Sequence, residues 1–401
     1  MARESVLVGA ALLLVQAGLA AGQVQEFKLT PQEPKGAVRA LETMLSGYSG
    51  SEARRPAEVK AVPADLKGRQ WYCHLDIGGR EVWILLDAAG SKSRLFVDTN
   101  GDGDLSNEEP LPVHLASKTD PAAQHSFGPV SLPAEGGGKH DIRIMLEPTG
   151  PEAYFSAAPA TLPSGRIELD GASYAVVLLD RQLDGRFDKT FSADAGMNSD
   201  WLAIDLNGNG TFERTAYVSP ELLPLPKLIQ LKQKWYSLEV APDGSSIRVQ
   251  SVTPPMGTLQ VAAPDVELQL VSDSGYHELK AAGNPWQLPA GAYAAMRISL
   301  SRKDEKGVVW GLSGSSSTGK LQKFTLQEGQ VTSLAAGPPL RVKVQALQQG
   351  DLVSLGCSVL GQAGETYGAG ATRAGVTQPA PKLRIVGEDG TVLASGKFEY
   401  G

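Results

Sequence analysis

The chain has 401 residues, 42% hydrophobic and 20% charged, too long for one compact core and too evenly mixed for wholesale disorder or a polytopic membrane protein. A count of 37 Lys and Arg against 44 Asp and Glu leaves a net charge of −7, with no basic concentration, which argues against a nucleic-acid partner. With 45 Gly, 26 Pro and 6% aromatics, the composition favours short strands joined by turns over long helices.

Residues 1–22 combine Arg3, an apolar run over 6–15 and the small residues Gly18-Leu19-Ala20. That is the layout of a secretory signal peptide, so the mature chain is expected to be exported, periplasmic or extracellular. The apolar run falls short of the roughly 20 residues that cross a bilayer, and no transmembrane span is expected after cleavage. In the N-terminal segment 23–65, Val38, Leu41 and Leu45 share one face and predict a short helix over 34–46.

From residue 66 the pattern turns to period two, and strands are predicted over 70–77, 80–87, 94–97, 140–146, 173–179, 201–204, 235–240 and 246–250. They make a β domain over 66–252, closed by Thr253-Pro254-Pro255. Two small β-sandwich-like modules are expected beyond it, over 256–336 and 340–401, parted by Gly337-Pro338-Pro339. In the first, Leu288-Pro289-Ala290-Gly291-Ala292-Tyr293 resembles the LPAGxY segment of prealbumin-like and carboxypeptidase-regulatory modules, which implies a sandwich and no activity. In the second, Glu388-Asp389-Gly390 predicts a hairpin turn, and 361–381, with no apolar pattern, reads as a long loop.

Cys73 and Cys357 both sit in strand-like surroundings and are expected to be buried free thiols. The five His show neither HxH nor HExxH spacing, so no zinc site is indicated.

The β domain repeats itself. Leu95–Gly103 aligns with Leu202–Gly210 at an offset of 107; upstream, 79–86 echoes 171–178, and downstream, 139–145 echoes 234–240. The expected fold is therefore mainly β, with a duplicated domain in copies of about 66–148 and 164–251.

The aligned segments carry the chemistry. Asp98, Asn100 and Asp102 place side-chain oxygens at positions 1, 3 and 5 of a twelve-residue loop; Asp104 stands at 7, where a backbone carbonyl serves, Ser106 at 9 and Glu109 at 12. Gly103 fills position 6, where the chain turns around the ion. Five carboxylates within twelve residues, with no base among them, repel one another unless a cation compensates. A second candidate set is Asp205, Asn207, Asn209, Thr211 and Glu213, with Ala216 at position 12. A third is Asp180, Gln182, Asp184, Arg186 and Asp188, with Phe191 at position 12.

These loops resemble the EF-hand and dockerin-type DxDxDG calcium loop, and the resemblance implies Ca²⁺ as the ion. The flanks differ from both families, since 94–97 reads as a strand and Pro110 discourages an exiting helix. A structural ion is thus expected rather than a helix-pair switch. Gly314–Lys320 nearly spells a phosphate loop, but Leu321 supplies no hydroxyl for magnesium. The function expected is an exported, non-enzymatic calcium-binding β protein with a structural or binding role at the cell envelope, meeting a protein or saccharide partner. The alternative is a secreted hydrolase acting on polysaccharide, with calcium as a structural ion.

Overall fold

A computed structural model describes residues 22–398, apart from 43–48, 51, 90–91, 112, 116–124, 135–136, 150–151, 195–197, 214–217, 315–317, 351 and 369. The expected signal peptide, except Gly22, lies outside the described residues, as do Leu45 and Ala216. Among the described residues no helix is long and apolar enough to cross a membrane.

The chain is mainly β. Before the β domain come β1 (Gln25–Lys28), β2 (Thr30–Gln32) and β3 (Ser49–Gly50). The expected helix is one 3-10 turn, Gly36–Val38, running into one α turn, Arg39–Glu42, with Leu41 buried. The first repeat contains β4 (Arg69–Ile77), β5 (Arg80–Ala88), β6 (Arg94–Val97), β7 (Val113–Leu115), β8 (His125–Pro133), β9 (Lys139–Thr149) and β10 (Glu152–Pro159). The second contains β11 (Leu162–Leu169), β12 (Ala172–Leu179), β13 (Trp201–Ile204), β14 (Leu222–Pro224), β15 (Leu228–Leu231), β16 (Lys234–Val240) and β17 (Ser246–Val252).

Cross-strand register shows how closely the two units match. Ile77 pairs with Arg80 across Gly78-Gly79, and Leu169 with Ala172 across Asp170-Gly171, with positive φ at all four turn residues. These are the backbone conditions of a type I′ hairpin. Ile84 pairs with Val97 as Val176 pairs with Ile204. The meanders β8-β9-β10 and β15-β16-β17 follow in each unit. Here the register sets Ile142, Ile144 and Leu146 level with Tyr236, Leu238 and Val240, one residue off the sequence alignment.

The N-terminal strands extend the repeat. Phe27 and Lys28 pair with Ile247 and Ser246, then Thr30 pairs with Ser164; likewise Ser49 and Gly50 pair with Phe155 and Tyr154, then Glu52 with Tyr72. One N-terminal strand thus links the two sheets of each unit, the earlier serving the second repeat and the later the first.

Alternation places one face of β4–β6 (Leu75, Ile84, Leu86, Leu95, Val97) against Phe127, Ile142 and Phe155. The opposite face (Tyr72, Leu85, Phe96) holds Val59 and Leu105. In the second repeat Leu178, Leu202 and Ile204 pack with Tyr236, Leu238 and Ile247.

Next come β18 (Met256–Val261), β19 (Val266–Ser272), β20 (Gly275–Leu279), β21 (Trp286–Pro289), β22 (Gly291–Lys303), β23 (Val309–Gly314), β24 (Phe324–Leu326) and β25 (Val331–Leu334). They form two sheets around a core of Leu259, Leu268, Trp286, Tyr293 and Ile298. In the LPAGxY segment, the Tyr293 hydroxyl donates to the Pro289 carbonyl at 2.7 Å and ties the turn to the strand that follows.

The last stretch has β26 (Arg341–Gln349), β27 (Leu352–Leu360), β28 (Thr366–Tyr367), β29 (Thr372–Arg373), β30 (Val376–Thr377), β31 (Lys382–Val386) and β32 (Val392–Lys397). The expected long loop over 361–381 differs from the structure: β28 pairs with β27, and β29 and β30 extend the sheet of β23. Tyr367 and Ala363 thereby enter the preceding module's core. Both faces of the β26–β27 hairpin are largely exposed, which corrects one expectation: Cys73 is a buried thiol, but Cys357 is exposed.

Candidate functional site

The first two loops leave equivalent strand ends. The Asp98 N–H donates to the Trp83 carbonyl and the Asp205 N–H to the Ala175 carbonyl, each at 2.9 Å. Both carboxylates are nearly buried. Each then gathers its own loop: Asp98 accepts from Gly101 and Gly103 N–H at 2.8 and 2.9 Å, Asp205 from Gly208 and Gly210 N–H at 2.8 and 3.0 Å. The four glycines lie between φ +74° and +77°, a conformation that side chains resist. At Gly103 a Cβ would also come within 2.5 Å of the Glu58 carbonyl.

In the first loop the Asp102 N–H donates to Asn100 Oδ1 (2.9 Å), the Asp104 N–H to Asp102 Oδ1 (2.7 Å), and Ser106 N–H to Asp104 Oδ1 (2.9 Å). The Asp104 N–H bond holds the exposed Asp102 carboxyl below the usual carboxylate range. The 58–61 strap crosses the loop, with Lys60 N–H donating to the Gly103 carbonyl, Leu105 N–H to the Ala61 carbonyl, and Lys60 Nζ to the Asp102 carbonyl. Leu105 at position 8 is fully buried.

Glu109, the expected closing ligand, is exposed; Glu108 turns inward instead and accepts from Thr99 N–H (2.7 Å) and Oγ1. In the second loop Asn209 N–H donates to Asn207 Oδ1, Thr211 N–H to Asn209 Oδ1, and the Asn207 amide to Glu213 Oε1 at 3.0 Å. Sequence reasoning missed Glu221 here. Only 4% exposed, it accepts from Leu206, Asn207 and Glu213 N–H at 2.9, 3.3 and 2.8 Å. Leu206 corresponds to Thr99, so Glu221 takes over the task of Glu108 from outside the twelve-residue window.

The third loop leaves β12 of the second repeat and packs against both repeats. Asp180 accepts from Gln182 and Gly185 N–H (3.1 and 2.7 Å), and Arg186 pairs with Asp188 at 2.8 Å. Leu183 enters the first repeat's core, and Phe187 and Phe191 enter the second's. Burial pushes Asp180 up to about 7 and Asp200 up to about 8, with like charges adding to each. Burial also holds the His140 imidazole below the usual histidine range.

Among the described residues no three His, Cys, Asp or Glu side chains gather as a ready-made metal-holding group. Asp98, Asp102, Asp205, Glu213 and Asp180 are engaged with backbone N–H groups or side-chain amides, and Asp188 with the Arg186 guanidinium.

Two other features bear on function. Ser274 Oγ lies 3.0 Å from His277 Nε2, and both side chains are buried beside Tyr293. Burial depresses the His277 imidazole to about 4, so the unfolded chain takes up a proton below about pH 6.5 that the folded chain refuses. The His277 contribution to stability should therefore fall as pH drops from about 6.5 to 4, on the order of 3 kcal/mol in all, while the raised Asp180 and Asp200 carboxyls act in the opposite sense over the same range. Urea titrations of the parent and of His277→Gln across that range isolate it, the stability difference between them changing with pH by that amount. Further along, a cavity of about 430 Å³ is lined by Leu312, Cys357, Val359, Tyr367, Pro381 and Phe398, an apolar set at the join of the last two modules.

No protein-family model, curated protein or solved structure matches the chain.

Proposed function

We propose that the chain is an exported, non-enzymatic calcium-binding β protein with a structural or binding role at the cell envelope. The observation that carries the reading is the pairing of the Asp98 and Asp205 loops: the same strand end, the same buried position-1 carboxylate gathering the same two glycine N–H groups, in two repeats of one architecture. A plain turn does not need oxygen side chains at positions 1, 3, 5, 9 and 12 of one loop; a hard cation does. The leader-like residues 1–22 support export, where extracellular modules bind calcium at about 10⁻⁴–10⁻³ M. Both loops leave strands, and among the described residues no helix pair flanks them, which favours a stiffening ion over a switch.

At free calcium ten times Kd, binding adds about 1.4 kcal/mol, which raises melting by a few degrees. Glu109→Gln removes from an exposed residue the charge that would close the loop on a bound ion, so the fold should persist while most of the shift disappears. An undiminished shift in the variant would place the effective site elsewhere, and no shift in the parent chain would sink the reading.

A further inference from the structure

In the third loop, the cation is already present. Lys189, at position 10, sends its ammonium back into the loop, where Nζ donates to Gln182 Oε1 at 2.7 Å and to Asp184 Oδ2. Gln182 and Asp184 stand at positions 3 and 5, which the first loop fills with Asn100 and Asp102. The backbone of Lys189 is clamped as well, its N–H donating to Asp200 Oδ2 at 2.8 Å and its carbonyl accepting from Asp200 N–H at 2.8 Å.

The surroundings call for positive charge. Asp180, Asp184 and Asp200 are all at most 3% exposed. Asp200 Oδ1 has no hydrogen-bond partner, and neither has His140 Nε2, which is 9% exposed and 3.7 Å from Asp180 Oδ2. Buried acceptors and carboxylates of this density are costly without a cation among them.

We propose that the Lys189 ammonium occupies the cation position of the third loop, making it a metal-independent clasp between the two repeats. The comparison with the first loop rests on the calcium reading above, but the charge compensation does not. Position matters as much as charge: Leu183 anchors the loop in the first repeat and Phe187 in the second, and the Gly78 N–H of the first repeat's hairpin donates to the Gln182 carbonyl at 2.8 Å. Loosening the loop loosens the join.

The test uses the full chain with Lys189→Met, which keeps most of the aliphatic stem and removes the charge. In chelator, melting should fall by about 3–8 °C, and millimolar calcium should restore at least half of the loss by taking the vacated position. Removing both partners, Lys189→Met with Asp184→Asn, should recover stability relative to the single change, a readout that survives even if the single variant folds poorly. With the first two loops disabled by Glu109→Gln and Asp205→Asn, a chain retaining Lys189 should show no calcium-dependent shift. Calcium-dependent melting in that last chain, no loss on Lys189→Met, or a loss that neither calcium nor Asp184→Asn repairs would each overturn the proposal. Failure of calcium uptake at the first two loops would leave the chelator result for Lys189→Met standing, so the two readings fail separately.

Discussion

Replacing Glu221 with Ala is expected to cost the second repeat roughly 3–5 kcal/mol, measured by urea denaturation. The carboxylate accepts three backbone N–H bonds, from Leu206, Asn207 and Glu213, in a nearly buried position. Each such bond to a charged acceptor contributes about 1.5–3 kcal/mol, and removing the acceptor strands all three donors at once. Water entering the cavity would repair part of the loss, which is why the expected total lies below the simple sum. Glu221→Gln keeps the shape and one acceptor oxygen, so it should cost clearly less than the alanine change. Equal costs would mean that Glu221 fills space rather than holding the loop.

Leu105→Ala should destabilise the first repeat by about 2–5 kcal/mol, because a fully buried leucine leaves a cavity among Val59, Tyr72, Leu85 and Phe96. The loop is attached to the core through this side chain and the Leu105 N–H bond to Ala61. Calcium should therefore stabilise the variant more weakly than the parent, since part of the binding energy goes into re-forming the loop. A core-only effect would lower the melting temperature and leave the calcium-dependent increment unchanged. Differential scanning calorimetry with and without calcium separates the two.

What could be read from the sequence follows from where the specifying contacts lie. Strands β6 and β13 have the predicted bounds because the apolar runs Leu95–Val97 and Trp201–Ile204 end at an Asp-x-Asn-Gly loop, a signal contained within ten residues. The type I′ turn at Gly78-Gly79 is local in the same way. Strands β8 and β11 escaped notice because Gly128-Pro129 interrupts one, and Pro163 and Gly165 the other. Strands β1, β2 and β3 were illegible for another reason: their partners, such as Ile247 and Phe155, lie more than 100 residues away, and nothing local favours so short a strand.

The loops divide in the same manner. The turn glycine at position 6 follows from residue type, Gly103 and Gly210 both having positive φ, whereas the backbone N–H bonds that Asp98 and Asp205 accept at position 1 show only in the fold. Glu221 was not legible because its role depends on the turn from Ser219 to Leu222 bringing it back over Leu206. Lys189 did not stand out in the sequence, being one of three bases with Arg181 and Arg186 in a loop of three Asp, and only the fold shows that its ammonium reaches Gln182 and Asp184.

Isothermal titration of the chain with calcium tests the central claim most directly. Uptake with Kd of about 10⁻⁴–10⁻³ M, lost on Glu109→Gln, is the predicted result. No binding heat up to several millimolar, confirmed by equilibrium dialysis, would contradict it and leave the Asp98 loop an acidic turn.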